Sequence, residues 1–571
     1  MEYMVLAGAI FILIAFLMFK EYLNVRSFRK MSLEMLYQSY GTVSEREYKY
    51  GEMEHIQKYY LRHPSEYQID DITWNDLNMD SVYQKMNSAC SATGDEYLYY
   101  RLRTPVYDHE EMDRWESQIR FFMEHEEERH HVQSLFFNMG RMGRYSLYEY
   151  IDNLDILGER DNRKYILSNL MLLVCIGIMF GSLPVGTIAL IIVLCHNIVG
   201  YFREYKQIEP YVTSFRYINK LLDAADKMSQ LAVSGVSQER EELKECHRKM
   251  KGFIRNAYLI SYVEKGNGDP FSILFDYLRM AFYIDLIQFN KALRAVRGHL
   301  GEIDTIVTLL GKIETAVVVG SYRSSLSDEY CIPDIQFDGN KGRYIRVDQV
   351  YHPLMDNPVK NSVLADKGVL LTGSNASGKS TFLRAVAVNA LLAQTIHTCL
   401  ADCYEAPVFH IYSSMALKDD LLSGQSYYMV EIKAIKRILD QVRKAQEEKG
   451  YVLCFVDEVL RGTNTVERIA ASTQIMKILS SEHALCFAAT HDIELTKLLE
   501  DEYLNYHFEE RIEEDDIFFP YKLMHGPATT RNAIALLKML GYDERIIEEA
   551  ETMAKEFLLD GKWKKSHKKP E

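Results

Sequence analysis

A glycine-rich loop that could bind phosphate is the strongest chemical signal in the sequence. The segment GSNASGKS, Gly373–Ser380, fits the pattern G-x-x-x-x-G-K-[ST] and lies between the strand-like GVLLT and the helix-like STFLRAVAVNALLAQ. The glycines let backbone N–H groups close around phosphate oxygens, and the helix N-terminus adds positive potential. Lys379 is then placed to reach the β- and γ-phosphates of ATP or GTP, and the Ser380 hydroxyl to bind Mg²⁺.

Two carboxylates follow a second apolar run. YVLCFVDE, Tyr451–Glu458, has the composition of a buried strand that ends in an acidic pair, and LRGTNT comes directly after it. An acidic pair at a strand end means little alone. Downstream of a phosphate loop, however, Asp457 is predicted to hold Mg²⁺, directly or through water, and Glu458 to polarise the attacking water.

A histidine and a loop of small residues complete the set. His491, in ALCFAATHD, is placed to sense the γ-phosphate, with a purely structural histidine at a strand end as the alternative. In DDLLSGQSYYMVEI, Asp419–Ile432, Ser423 and Gly424 could offer a hydroxyl and a backbone amide to a γ-phosphate. Alone, SGQS is just a turn. In ATPases of the ABC type a loop in this place completes the partner's site, so the order of the motifs predicts a dimer.

Two long apolar segments precede this region and predict membrane helices. Tyr3–Phe19 carries no charge, and at 1.5 Å per residue it reaches roughly 25 Å, near the lower limit for a span. Glu2 precedes it and Lys20 follows, which favours an uncleaved anchor over a signal peptide. The second segment, 165–202, is about twice one span and is broken by GSLPVG. It predicts a hairpin of two helices, with a buried soluble hairpin as the alternative.

The charges around these segments predict their orientation. Basic residues follow the first segment and flank the second on both sides. They share one compartment only if the N-terminus is outside and everything after Lys206 is cytoplasmic. The expected location is therefore the cell membrane, as a multi-pass protein with its phosphate-binding domain in the cytoplasm. His196 is interpreted as a packed or interfacial residue and not as a proton relay.

Composition limits the partners. The formal net charge of −15 argues against a surface that generally coats nucleic acid, although a local basic patch is compatible with it. The nine cysteines include no CxxC pair, and Cys399 and Cys403 are interpreted as core thiols of a reduced, cytosolic part. The basic tail GKWKKSHKKPE is interpreted as a solvated end.

The expected fold class is mixed: a mainly helical core and lever region with three transmembrane helices, followed by an α/β P-loop domain of the ABC ATPase type. Apolar residues at three- and four-residue steps predict helices up to residue 330, after which short β-rich runs alternate with helical runs. The predicted domains are a membrane anchor at 1–30, a helical core region at 31–163, a transmembrane hairpin at 164–203, a long-helix lever at 204–330, the ATPase domain with dimerisation helices at 331–545, and a basic tail at 546–571.

The order of these motifs resembles the ATPase domain of the MutS family of DNA mismatch-repair proteins. DDLLSGQSYYMVE, VDEVLRGTNT and ATHDIELTKL follow the phosphate loop in the family's order. YHPLMDNPVKNSVL resembles the segment before that loop, with Val359 where the family has an aromatic that stacks on adenine. FPYKLMHGPATTRNAIALLKMLGYDERIIEEA resembles the family's closing dimerisation helices, and NMDSVYQKMNSACSATGDEYLYYRLRTPVYDHEEMDRWESQIRFF the start of its helical core.

The resemblance implies ATP and Mg²⁺ as cofactors and a homodimer formed through the ATPase domains. Catalytic roles then belong to Glu458, His491 and Lys379, and Mg²⁺ binding belongs to Ser380 and Asp457. Nucleotide binding is implied for the residues of the loop and, across the dimer, for two residues of SGQS: Gly373, Ser374, Asn375, Ala376, Ser377, Gly378, Lys379, Ser380, Thr381, Ser423 and Gly424.

Two departures from the family bear on function. Before residue 70 only the anchor and a short helical linker are expected, which leaves no room for the domain that wedges an aromatic beside a mismatched base. The apolar hairpin lies about where the family's DNA clamp would leave the helical core. We therefore expect a membrane-anchored MutS-like ATPase whose cycle drives a conformational change, with mismatched or branched DNA as a partner by resemblance. The alternative is a mechanochemical ATPase coupled to the bilayer or to a membrane partner, without DNA. A transporter is a weak third candidate, because a lone histidine offers no polar lining.

Overall fold

The structure is a computed structural model of the 571-residue chain. It describes residues 16, 20, 23–143, 145–251, 253, 277–338, 342–374, 377–415, 427–460, 464–513, 516–528, 534, 537–538, 541–560 and 563. The predicted N-terminal span at Tyr3–Phe19, apart from Phe16, lies outside these residues. The same holds for Ser423 and Gly424 and for Asn375 and Ala376 of the phosphate loop.

The chain forms two compact units. Unit 1 contains residues 1–66, 83–103 and 110–327, and unit 2 contains residues 67–82, 104–109 and 328–571. Within the described part of the chain, unit 1 is helical and every strand belongs to unit 2. The mixed fold class is thus confirmed, with helices first and an α/β region after them. The finer division into six domains stays a prediction.

The helices before residue 328 begin with α1, which covers residues 23–38. It is followed by α2 (Glu52–Ile56), α3 (Lys58–Arg62), α4 (Asp71–Asp76), α5 (Met79–Met86), α6 (Ala92–Arg103), α7 (His109–Glu124), α8 (Glu126–Met139), α9 (Leu147–Asp152), α10 (Arg163–Gly181), α11 (Leu183–Gln230), α12 (Ser237–Lys249), α13 (Ile284–Gly298) and α14 (Leu300–Ser325).

The helices α10 and α11 form an apolar hairpin. They meet at Ser182, and Pro184 lies in the first turn of α11, where its missing N–H has no helical acceptor to lose. Both helices are long and apolar enough to cross a membrane, and only 17% and 11% of their most apolar windows are buried. A helix in the core of a soluble protein is apolar because it is buried, so this exposure disfavours the soluble-hairpin alternative.

The helix α11 continues far beyond the apolar segment. Its 48 residues extend over about 72 Å, and the predicted boundary at 203/204 falls inside it. Beyond Pro210 the helix buries an apolar stripe at three- and four-residue steps, which includes Phe215, Ile218 and Leu222. Packing on both sides of the proline offsets its lost hydrogen bond. A single continuous helix therefore leads from the hairpin into the helical core of unit 1.

A buried carboxylate joins α6 and α14 inside unit 1. The side chain of Glu314 accepts hydrogen bonds from the backbone N–H of Cys90, at 2.6 Å, and of Ser91, at 3.1 Å, and from the Ser91 hydroxyl. A Cβ at Gly94 would overlap this carboxylate, so glycine is what lets α6 pass so close. Burial raises the pKa of Glu314 to about 7, against the lowering effect of the Ser91 hydrogen bond.

We expect replacement of Glu314 by Gln to flatten the pH dependence of the free energy of unfolding. Because the folded-state pKa of about 7 lies above the ordinary 4.5, the contribution of this group is full below pH 4.5 and is lost as the pH rises through 7. The loss amounts to at most about 3 kcal/mol. Urea unfolding at several pH values between 4.5 and 8 measures it, and equal slopes for the two proteins would contradict the assignment.

Unit 2 contains all the described strands. They are β1 (Asp334–Gln336), β2 (Ile345–Val350), β3 (Asn361–Ala365), β4 (Gly368–Thr372), β5 (Cys403–Pro407), β6 (His410–Ser414), β7 (Val452–Asp457), β8 (Ala484–Ala489), β9 (Tyr503–His507), β10 (Arg511–Glu513), β11 (Asp516–Phe518) and β12 (Met524–His525). The helices of this region are α15 (Lys379–Ile396), α16 (Tyr427–Glu448), α17 (Thr465–Leu479), α18 (Ile493–Leu498) and α19 (Glu544–Asp560).

A six-stranded sheet in the order β12-β9-β4-β8-β7-β6 forms the centre of unit 2. All its neighbours are parallel except β12 and β9. The strands β4 and β8 are buried along their whole length, as expected for a parallel sheet covered on both faces. A four-stranded sheet in the order β1-β5-β2-β3 and the hairpin β10-β11 complete the strands.

A segment from far upstream covers the edge of the six-stranded sheet. The Tyr67 hydroxyl donates to the carbonyl of Ile411 on β6 and accepts from its N–H, at 2.8 and 2.6 Å. The Asp76 carboxylate accepts from the hydroxyl of Ser413 and the N–H of Met415, at 2.7 and 2.8 Å. An uncovered edge strand would expose these backbone groups to pairing with other chains. Residues 67–82 are therefore part of the α/β unit.

Candidate functional site

The glycine-rich loop joins β4 to α15, as its sequence context predicts. Gly373 and Gly378 have positive φ angles of 140° and 106°. A Cβ at Gly373 would lie 2.5 Å from the Phe508 carbonyl oxygen, so this position tolerates only glycine. Phosphate-binding loops use glycine at such positions because the backbone can then approach the phosphate oxygens closely. The hydroxyl of Ser377 donates to the Ser374 carbonyl at 2.8 Å and closes the turn before the helix.

Lys379 lies inside this loop. Its side chain is 5% exposed, and Nζ donates hydrogen bonds to the carbonyl oxygens of Gly373, at 2.8 Å, and Ser374, at 2.7 Å. These two contacts hold the ammonium group beside the backbone of Gly373 and Ser374. An ammonium held there provides the positive charge that phosphate oxygens require.

The two predicted magnesium ligands meet across the sheet. Ser380 is the second residue of α15, and its hydroxyl donates to the Asp457 carboxylate at 2.5 Å. Asp457 is the last residue of β7, which is separated from β4 by β8 alone. Because parallel strands end at the same edge, residues distant in sequence gather there.

The predicted base lies next to the predicted histidine. Glu458 has a positive φ of 57°, and its N–H donates to the Ala489 carbonyl at 2.9 Å. Its Oε1 lies 3.0 Å from Nε2 of His491. A non-glycine residue with positive φ is uncommon and is found more often at functional sites than elsewhere. The backbone of β8 and the histidine thus hold the Glu458 carboxylate at the same strand edge as Asp457.

Four predicted residues therefore come together in unit 2: Lys379, Ser380, Asp457 and Glu458, with His491 bonded to the last. Thr381 is exposed on the first turn of α15. Their roles in catalysis and binding remain predictions.

A cavity of about 520 Å³ adjoins the loop. Its lining includes Gly378 and Lys379 of the loop, Val359 from the segment before β4, and Tyr521 from the segment after β11. A volume of this size suits a ligand as large as a nucleoside. Val359, where the family resemblance implies an aromatic, is 38% exposed and lies in this lining.

An aromatic ring on one side of this cavity, that of Tyr521, was not predicted from the sequence. The Tyr521 ring lies 3.1 Å from the position of a Cβ at Gly378, is 43% exposed, and stacks with Phe519 at 6.0 Å between centroids. Its carbonyl accepts from the side chain of Asn361 at 2.9 Å, which ties the segment to β3. The only signal available was an aromatic in FPYKLMHG, a segment interpreted solely as part of the dimerisation region.

An ion pair that the sequence did not indicate supports the segment that contains His491. The carboxylate of Asp492 accepts two hydrogen bonds from the Arg468 guanidinium, at 2.9 and 2.6 Å. Asp492 directly follows His491, so this paired contact holds the end of β8 against α17. The spacing of 24 residues between the two partners is not a pattern that sequence alone indicates.

The residues present fit ATP with Mg²⁺. The glycine loop and Lys379 would hold the phosphates, the cavity beside Tyr521 has room for the base, and Ser380 and Asp457 would hold the metal ion. When bound, Mg²⁺ supplies positive charge that stabilises the triphosphate and the charge that develops on transfer of its terminal group.

The region that contains this site is similar to known proteins. The family model of MutS domain V matches residues 369–558. The DNA mismatch repair protein MutS of Thermus thermophilus is 33% identical over 217 residues, which cover 37% of this chain and 26% of that protein. Its counterpart in Thermus aquaticus is 32% identical over 268 residues (46% and 30%), and that of Lactobacillus delbrueckii subsp. bulgaricus is 30% identical over 288 residues (48% and 32%).

The fold and the site define a helical protein with an α/β domain in which a glycine-rich loop meets an acidic strand end. The family-model match assigns residues 369–558 to MutS domain V, and the chain is similar to MutS proteins over 37–48% of its length. It spans between 26% and 32% of the length of these three relatives.

Proposed function

We propose that unit 2 binds ATP with Mg²⁺ and hydrolyses it. The observation that carries this proposal is the gathering of Lys379, the Ser380–Asp457 pair and the Glu458–His491 pair at one edge of the parallel sheet. Lys379 neutralises charge on the phosphates. Glu458 takes the proton of the attacking water as the water oxygen bonds to the γ-phosphorus and the bond to ADP breaks. His491 orients the Glu458 carboxylate and reports the state of the γ-phosphate.

The active unit in this proposal is a homodimer. Family resemblance supports it, since Ser423 and Gly424 are expected to complete the phosphate site of a second copy. ATP bound between two copies would draw them together, and hydrolysis would release them.

The protein is further proposed to be anchored in the cell membrane, with unit 2 in the cytoplasm. Support comes from the exposed apolar hairpin α10–α11 and from its basic flanks. Because α11 is continuous from the hairpin to Gln230, a movement of the helical core is transmitted to the hairpin. Flotation of the full-length protein with liposomes tests the anchoring. A chain that stays in the soluble fraction would contradict it.

A second candidate function is action on DNA at the membrane. It is favoured by the relatives, which are named DNA mismatch repair proteins. The two candidates share ATP hydrolysis and differ in what it moves. ATP turnover by the full-length protein in lipid nanodiscs, measured with and without duplex, mismatched and branched DNA, separates them. Stimulation at physiological salt would show a DNA partner. Unchanged turnover with every DNA form would leave the membrane-coupled ATPase.

We expect Tyr521→Ala to weaken ATP binding by roughly tenfold or more, because stacking of a base on an aromatic ring contributes about 1–3 kcal/mol. Tyr521→Phe, which keeps the ring, should bind as the unchanged protein does. Titration with a fluorescent ATP analogue measures both. Unchanged binding by Tyr521→Ala would place the base elsewhere in the cavity, and an equal loss in the two variants would assign the effect to the hydroxyl and not to stacking.

A further inference from the structure

The base of the apolar hairpin holds a second cavity, of about 330 Å³, within unit 1. Its lining combines charged and polar side chains, Lys164, His196, Arg203, Glu204 and Tyr283, with the exposed apolar Val199. The volume is within the ~300–1,000 Å³ range of small-molecule sites. The mechanism proposed for unit 2 makes no use of it.

Positively charged side chains outnumber carboxylates at this cavity. Glu204 is engaged by several donors: Lys164 Nζ at 2.8 Å, the Tyr165 hydroxyl at 3.2 Å and the Arg160 guanidinium at 3.5 Å. Arg203, on the same turn of α11, makes no ion pair with a carboxylate in the described part of the chain. One carboxylate therefore faces two lining cations and a third close by, and the cavity carries an excess of positive charge.

A tyrosine also lines the cavity. Tyr283 is 5% exposed and has a positive φ of 53° at the start of α13. Its ring lies 4.9 Å from that of Tyr165, and its oxygen would be 2.6 Å from a Cβ at Gly200, so glycine makes the room it occupies. Among the residues that the structure describes, none forms a hydrogen bond with this hydroxyl. Because Tyr283 lines the cavity, its hydroxyl is available to donate a hydrogen bond to a ligand there.

The cavity lies where the hairpin changes from apolar to charged. On one side Val199 and Phe202 are 71% and 56% exposed, and on the other lie Arg203 and Lys206. In the proposed orientation this is the level of the cytoplasmic headgroups, where basic pockets between helices bind acidic lipids.

We propose that this cavity binds the phosphate headgroup of an acidic phospholipid, with Lys164 and Arg203 contacting the phosphate oxygens and the Tyr283 hydroxyl donating to one of them. The acyl chains then lie along the exposed apolar face that begins at Val199. The proposal rests on the membrane anchoring proposed above. It assigns to the hairpin a chemical selectivity that anchoring by apolar contact alone does not require.

The test uses the full-length protein in neutral detergent, with bound lipid counted by native mass spectrometry during titration with phosphatidylglycerol, phosphatidylcholine or inorganic phosphate. We compare Lys164→Gln/Arg203→Gln with Arg163→Gln/Lys206→Gln, which removes the same charge from exposed positions outside the cavity. The cavity variant should bind phosphatidylglycerol roughly 25-fold more weakly, from about fivefold for each cation. The outer variant should change less than twofold, and Tyr283→Phe should lose about fivefold.

Several outcomes would overturn the proposal. Equal losses in the two double variants would show diffuse electrostatic attraction. Equal binding of phosphatidylcholine would show no headgroup selectivity, and competition by millimolar inorganic phosphate would assign the cavity to a soluble anion. Liposome flotation of the same preparations separates this failure from that of the anchoring. A protein that floats without lipid selectivity overturns only the present inference, and one that does not float overturns both.

Discussion

Glu458→Gln should abolish turnover of ATP while leaving ATP binding intact. The amide cannot accept the proton of the attacking water, and loss of a positioned general base costs about 10²–10⁴-fold in rate. Gln has the same shape, and the N–H of residue 458 still donates to the Ala489 carbonyl, so the positive-φ backbone at this position remains supported. Turnover is measured by phosphate release in nanodiscs, and binding by titration with a fluorescent ATP analogue.

Glu467→Gln provides the matched control for this substitution. Glu467 is an exposed carboxylate on the first turn of α17, in the same unit and without a place in the cavity lining. The Glu467→Gln variant should hydrolyse ATP at the same rate as the unchanged protein. Normal hydrolysis by Glu458→Gln would refute the assignment of the base, and a parallel loss of binding would show that the carboxylate serves the fold of the loop and not the chemistry.

Arg323→Met should lower the free energy of unfolding of unit 1 by about 3–5 kcal/mol, because it removes the buried cation that pairs with the Glu116 carboxylate. The Arg323 side chain, on α14, is 1% exposed and donates two hydrogen bonds to Glu116 on α7, at 3.0 and 2.7 Å. Unfolding in urea is followed by fluorescence of Trp115, the residue next to Glu116. A background with Trp74→Phe and Trp563→Phe removes the other two tryptophans.

Arg120 offers a control on the same carboxylate. It lies 3.5 Å from Glu116 with its own side chain 61% exposed, so Arg120→Met should cost less than about 1 kcal/mol. In Glu116→Gln/Arg323→Met the negative charge of Glu116 is removed together with the arginine, and part of the lost stability should return. If the double variant is no more stable than Arg323→Met, packing of the arginine, and not its charge, holds the two helices.

The residues that gather at the candidate site could be identified from the sequence because most of them belong to local patterns. A glycine loop, its lysine and the following serine are contiguous, and the geometry that they need arises within one strand, one turn and one helix. The acidic pair and His491 end apolar runs of strand length, and parallel strands bring such ends to one edge. The same reasoning gave no sign of Tyr521 or of the Arg468–Asp492 pair, because their partners depend on how distant segments fold back.

The helical region divides in the same way. Its apolar periodicity and the long uncharged run at 165–202 predict helices and a hairpin, since both patterns report burial or lipid exposure residue by residue. That α11 continues through Pro210 is a result of packing, which offsets the cost of the proline. The assignment of residues 67–82 to the α/β unit likewise depends on hydrogen bonds from Tyr67 and Asp76 to a strand that lies more than 300 residues away.

The mixed fold class, the glycine-rich loop with the acidic strand end and the histidine, and the apolar hairpin could all be predicted from the sequence. Each of these features depends on the spacing of residues that are close in sequence, and steric and hydrophobic rules relate such spacing directly to local structure. The residues that surround the two cavities, the burial of individual carboxylates, and the connection of the hairpin to the helical core became visible in the three-dimensional structure alone. These features depend on contacts between side chains that are distant in sequence. The free energy of such a contact depends on how the whole chain packs, and short-range sequence patterns do not encode it.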